Sequence, residues 1–146
     1  MCRDEIKEGM VHAHRGEFEA ASGDPLTQRT FPLFFDVLRL LLEGGVTAVA
    51  EAAFQDRLWR EGLEPLAGLA ELRIVHCMTD SALAAERAGA RGARRAHADH
   101  ADTEEWRRHF EAFVRISLPA PAIEVDTSDG YKPGIAEIAA FVDERR

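Results

Sequence analysis

The chain has 146 residues, 46% hydrophobic and 30% charged, enough for one compact core and too few for two. Its 18 basic residues against 26 acidic ones leave a net charge of −8, which argues against nucleic acid or anionic lipid as a general partner. No apolar run approaches the ~18 residues of a membrane-spanning helix, since the longest candidate, Val37 to Leu42, is broken by Arg39.

The first residues, Met1-Cys2-Arg3-Asp4-Glu5-Ile6-Lys7, lack the layout of a signal peptide, and a helix is expected from Asp4 to about His12. Arg15 to Asp24 reads as a loop. Asp24-Pro25, a cap residue followed by proline at the first helical position, opens a strong helix. Its apolar set Phe31, Phe34, Phe35, Leu38, Leu41 and Leu42 recurs at helical spacing and predicts burial. Pro32 is expected to kink this helix or mark its start, and Gly44-Gly45 to end it. Val46 to Ala50 then reads as a fully buried strand.

A weaker helix is expected over about Asp56 to Leu63, limited by Pro65, and a second strand over Leu72 to Cys77. Cys2 and Cys77 are too few and too far apart for a disulfide framework or a cysteine zinc site. A reducing, cytoplasmic setting follows, with Cys77 as a small buried hydrophobe. Asp80 caps an alanine-rich helix reaching about Arg91. Asp102-Thr103-Glu104-Glu105 has capping-box spacing, and the helix it opens carries Trp106, Phe110, Phe113 and Val114 on one stripe. Ala122 to Asp126 is a third strand, Gly130 to Pro133 a turn, and Ile135, Ile138, Ala139 and Val142 the inner face of a last helix. Helices alternating with short apolar strands predict an α/β domain, a parallel sheet with helices on both faces.

Four stretches, in order along nearly the whole chain, resemble the P-loop small-kinase families, which include zeta-toxin-like and chloramphenicol-phosphotransferase-like kinases and proteins filed as AAA-family ATPases. Arg3-Asp4-Glu5-Ile6-Lys7 is similar to the segment after the family's second strand. Thr47 to Phe54 resembles the third strand and its exit. Arg73 to Asp99 resembles the fourth strand, its helix and an arginine-bearing lid, here at about 84–101. Val125-Asp126-Thr127-Ser128-Asp129-Gly130 resembles the last strand and the loop near the adenine. The resemblance implies a three-layer domain over residues 1–146 that uses ATP and Mg²⁺ to phosphorylate a small hydroxyl-bearing substrate.

One element of that family is absent. No G-x-x-x-x-G-K-[ST] loop occurs, and the only lysines are Lys7, in an acidic helix, and Lys132, in a turn. In the family's sheet order, 2-3-1-4-5, the strand leading into that loop is central. The strands at 46–50 and 72–77 are therefore expected to lack their shared neighbour, unless a reduced domain pairs them directly. A start placed too far downstream, removing roughly 25–40 residues on the usual scale of a βαβ unit, is the expected cause. The chain as it stands is expected to bind ATP weakly or not at all.

By the resemblance, Asp4 takes the proton of the attacking hydroxyl; its plainer role is a helix cap. Glu51, leaving a strand at its carboxyl end, holds a Mg²⁺-bound water or substrate group, or is a solvated strand terminus. Arg87, Arg91 and Arg95 share a stripe if their helix continues past Gly92, and Arg87 and Arg91 match an R-x-x-x-R lid that clamps phosphates; otherwise they face solvent. Asp126 and Thr127 lie near the nucleotide base, or form a turn. Two readings of other classes stand beside the kinase. One is a non-catalytic module that dimerises or binds a partner through the exposed sheet seam. The other is a metal site from His12, His14, His97, Asp99, His100 and Asp102, which lack a third ligand of fixed spacing.

Overall fold

In a computed structural model, residues 1–13, 18–20, 24–90 and 103–144 are described. α1 (Arg3–Ala13) begins almost at the first residue, and α2 (Pro25–Glu43) packs against it. Asp24 caps α2 through Thr27, whose N–H donates to Asp24 Oδ1 at 2.8 Å. Pro32 lies inside α2 and does not mark its start. Gly45, at φ +73°, turns the chain out of the helix in a conformation that side chains with a Cβ resist.

The same Asp24 carboxylate accepts from Lys7 Nζ at 2.7 Å, and both side chains are about as buried as the apolar core. Lys7 falls on the inward stripe of α1 with Val11, so the helix buries a charge where its pattern would place a hydrophobe. Burial alone would raise the Asp24 pKa. Lys7 and the N–H and hydroxyl of Thr27 outweigh it and hold the carboxyl at about 2.

The main core lies farther along α2. Phe34 and Leu38 meet Trp59 of α3 (Asp56–Leu63), Leu66 of the 3₁₀ turn Glu64–Gly68, and Ile116. Phe34 stands edge-on to Phe35, Phe54 and Trp59, with ring centroids 5.9, 6.1 and 5.3 Å apart. Gly62 permits that closeness, because a Cβ there would sit 2.3 Å from the Phe35 ring.

β1 (Ile74–Met78) and β2 (Ala122–Asp126) form a two-stranded parallel sheet, with Ile74 opposite Ala122 and Met78 opposite Asp126. Between them run α4 (Ser81–Ala90), capped by Asp80 Oδ1 on the Leu83 N–H at 2.8 Å, and α5 (Thr103–Glu111), which packs on α4. α6 (Ile135–Asp143) follows β2. The chain is thus of mixed helix and strand with a parallel sheet.

Several expectations need correction. Residues 46–50 form no strand and no ladder with β1; next to them Glu51 makes a parallel bridge with Cys2, and the Val49 carbonyl accepts from the Met1 ammonium. The apolar run carries strand propensity, yet among the described residues its strand-like bonding is to the very short Met1–Arg3 segment, and direct pairing with β1 does not occur there. α5 stops at Glu111, so Phe113 and Val114 lie beyond it, where the Val114 carbonyl accepts from the Asp56 N–H at 2.8 Å. The side chain of Trp106 lies outside the described residues. Cys77 is exposed, not buried. α6 buries none of its residues, and Ile135 and Val142 of its expected inner face are 62% and 45% exposed.

The Lys7–Asp24 pair predicts an acid-labile fold. The Asp24 carboxyl is depressed from an ordinary 3.8 to about 2, so its contribution is complete above the unfolded-state value and lost as pH falls from about 4 through 2. Urea unfolding should lose about 2 kcal/mol across that window, and Asp24→Asn should flatten it. Lys7→Met at neutral pH strands a buried carboxylate and should cost about 3–5 kcal/mol.

Candidate functional site

The sequence-predicted site residues fall into two groups, each at the carboxyl end of a parallel pairing. The first is built on Met1–Arg3 and Glu51. The Glu51 N–H donates to the Met1 carbonyl at 2.9 Å, and the Arg3 N–H to the Glu51 carbonyl at 3.0 Å. The terminal ammonium of Met1 donates to the Val49 carbonyl at 2.5 Å. This ladder sets Glu51 beside the start of α1. Asp4 lies in the first turn of α1, where its charge suits the helix dipole, and it accepts from Arg3 Nη1 at 2.8 Å with its carboxylate exposed. Arg3 in turn lies 5.5 Å from the Phe31 ring, and its Nε is buried without a hydrogen-bond acceptor among the described residues.

Cys2, missed as a site residue, joins this group. Burial and a hydrogen bond to Glu51 push its thiol upward, against the N–H groups of Glu5 and Asp4, which pull it down. The raised pKa keeps the Cys2 thiol protonated at neutral pH beside Glu51. Its adjacency to Glu51 depends on pairing across 49 positions, which residue spacing does not show.

The second group gathers at the ends of β1 and β2. Thr127 Oγ1 donates to the Met78 carbonyl at 2.9 Å, and the Thr79 and Ser128 hydroxyls are 3.3 Å apart. The Asp126 Oδ1 accepts from the Ser128 N–H at 2.8 Å, and that bond, with the Ser128 side chain and Lys132, lowers the Asp126 pKa. Asp126 and Lys132 also pair through their backbones, so the expected turn is a closed corner. Arg87 of α4 reaches this corner, Nη1 donating to the Thr127 carbonyl at 2.9 Å and Nη2 to the Ser128 carbonyl at 2.8 Å. It bridges the helix after β1 to the loop after β2 while its side chain stays exposed.

Arg91 and Arg95 lie outside the described residues, as do His14, His97, Asp99, His100 and Asp102. His12 is exposed near the end of α1. Among the described residues no three histidine, cysteine or acidic side chains are placed to hold a metal ion. No described hydrogen bond or ion pair joins the Asp4–Glu51 group to the Arg87–Asp126 group. Between the two, Arg115 pairs with Glu124 of β2, and its charge, after burial, lowers the pKa of His76.

No protein-family model matches this sequence, no curated protein is similar to it, and no solved structure resembles it.

The two cysteines should separate chemically. Cys77 is exposed, whereas Cys2 is half-buried and its thiol is held protonated. Limited alkylation at neutral pH, read by peptide mass mapping, should modify Cys77 well before Cys2. Arg87→Ala, which removes two bonds to the Thr127–Ser128 loop, should cost about 1 kcal/mol in urea unfolding and speed amide exchange in that loop.

Proposed function

We propose that this chain is the acceptor-and-lid part of a nucleotide-dependent kinase-like domain, the class in which phosphoryl transfer from Mg·ATP modifies a small hydroxyl-bearing substrate. The observation that carries the reading is the placement of Asp4 and Glu51 at the end of one parallel pairing, and of Arg87, Asp126 and Thr127 at the end of another. Carboxyl ends of parallel strands are where open α/β folds collect functional groups. Under this reading the layers are completed by a strand lying between the two pairings. Asp4 and Glu51 then face the acceptor, Arg87 with Arg91 and Arg95 the phosphates, and Asp126 and Thr127 the base. The setting is cytoplasmic.

The residues present do not fit a nucleoside triphosphate by themselves. Lys7 is consumed by Asp24, Lys132 is exposed in a turn whose backbone pairs with Asp126, and no glycine-rich phosphate loop precedes either. No reaction step is therefore assigned to this chain alone. A second reading, a non-catalytic module that dimerises or takes a partner at its sheet seam, is favoured by the exposure of Val75, Cys77 and Met78 on β1 and of Ile135 and Val142 on α6.

Calorimetry with Mg·ATP on the 146-residue chain should show no micromolar binding, and such binding would overturn the assignment of phosphate holding to another stretch of polypeptide. Fusing a strand, phosphate loop and helix ahead of Met1 should create ATP binding. In that fusion Asp4→Asn should lower phosphoryl transfer by about 10²–10⁴ with ATP binding unchanged. A folded fusion that binds no ATP rules out the kinase reading and leaves the interaction module.

A further inference from the structure

The hold on α6 is largely polar and lies at its two ends. Seven of its nine residues are apolar, yet among the described residues none belongs to either core cluster, and within the helix only Ile138 and Phe141 are half-buried. Upstream, Asp126 and Lys132 exchange backbone bonds of 2.8 and 3.0 Å and close a corner, and Pro133 and Gly134 separate that corner from the helix. Downstream, Arg73, one residue ahead of β1, donates from Nη2 to the carbonyl of Glu144, the C-cap of α6.

The state of Arg73 is unusual for a cation. Its side chain is 9% exposed, so the guanidinium is nearly out of water. Nη1 donates to the Leu72 carbonyl at 3.1 Å, but Nε is buried without an acceptor among the described residues, and the exposed Glu71 carboxylate stays 3.9 Å away. A buried cation with donors left over costs free energy that its other bonds must offset. What Arg73 does match is the helix end. The carboxyl terminus of a helix is its negative pole, and α6 ends on Asp143 and Glu144 with no basic residue in its last turn. Arg73 supplies from outside the cation that the helix lacks. Docking gains this attraction and loses the hydration of the guanidinium, so its margin is small.

We infer that α6 is a detachable arm: it leaves and rejoins the body of the protein as one unit, turning on the Pro133–Gly134 link, with Arg73 as the catch at its far end. The segment acts as a unit because its opening bonds are internal to it. The Gly134 N–H donates to Glu137 Oε2 at 3.1 Å, and the Gly134 carbonyl accepts from the Glu137 and Ile138 N–H groups, each at 3.0 Å. The link has room to turn, since a Cβ on Gly134 would meet nothing nearer than Glu137 Oε2 at 3.8 Å. Undocking forfeits the partial cover of Ile138 and Phe141 and one charge-assisted bond, and it returns Arg73 to water. The open form therefore lies far below global unfolding in free energy. The inference goes beyond both readings of function and depends on neither.

Hydrogen exchange of the 146-residue chain at pH 7, read by mass spectrometry in urea below the unfolding transition, follows this motion. A free helix of nine residues is marginal in water, so undocking opens its amides to exchange. The α6 amides should exchange together, at least about 100-fold faster than those of α2 and with little dependence on urea, because undocking exposes little surface. Arg73→Ala should speed α6 exchange about tenfold and leave α2 unchanged. Arg73→Lys, which keeps a cation at the helix end, should fall between, and it decides the matter if the alanine variant fails to fold. Exchange of α6 at the rate and urea slope of α2 would overturn the arm, as would α6 amides with no protection at all. Unchanged α6 exchange in both variants, or an equal acceleration of α2, would overturn Arg73 as its catch.

Discussion

A strand in a protein has donors and acceptors along two edges, and whatever pairs with them fixes its neighbours, its burial and the packing of the helices beside it. In this chain that requirement is half met at two places. β1 is paired by β2 on one edge, and residues 49–51 by Met1–Arg3 on one edge. Among the described residues neither has a strand on its other edge. Cys77 and Val49 are exposed there, and α6, apolar along most of its length, covers Ile138 and Phe141 only in part.

What holds the fold despite the open edges is helical. α2 is shared by two cores: its aromatic face meets Trp59 and Leu66, and its amino end meets α1 through the Lys7–Asp24 pair. The pair is weak as a source of net stability, since removing two charges from water offsets much of their attraction. Its value is directional. Asp24 must cap Thr27 and receive Lys7 at once, so the register of α1 on α2 is specified where Val11 and Leu26 alone would allow sliding. Because α1 follows directly on Met1–Arg3, this fixed register also sets where the first residues meet Glu51.

Local chemistry made much of this readable in the sequence. The Asp24-Pro25 start, the Gly44-Gly45 stop, the Phe31–Leu42 stripe and the Asp80 cap are signals carried by adjacent residues, and they stand as expected. The strands near 72–77 and 122–126 were legible as apolar runs between turns. Failures came where an outcome depends on a distant partner. Val46 to Ala50 and the face of α6 have the same composition whether or not something covers them. Lys7 was read only as lying in an acidic helix, although its place on the Val11 stripe was a signal that it points inward. Asp4, Glu51, Arg87, Asp126 and Thr127 were legible as strand-end and helix-start groups; that they form two separate groups was not.

The separation bears on what those groups do. The Asp126 carboxylate accepts from the Ser128 N–H, Thr127 donates to the Met78 carbonyl, Glu51 meets the Cys2 thiol, and Arg87 donates to two backbone carbonyls. Each has a structural partner, so none is held in the desolvated, unpaired state that marks a side chain poised for chemistry. The same bonds still have a consequence for a completed domain. Arg87 ties α4 to the Thr127–Ser128 loop, and Thr127 ties that loop to the end of β1. Through these bonds the end of β1, the loop after β2 and the arginine-bearing helix are held as one linked unit.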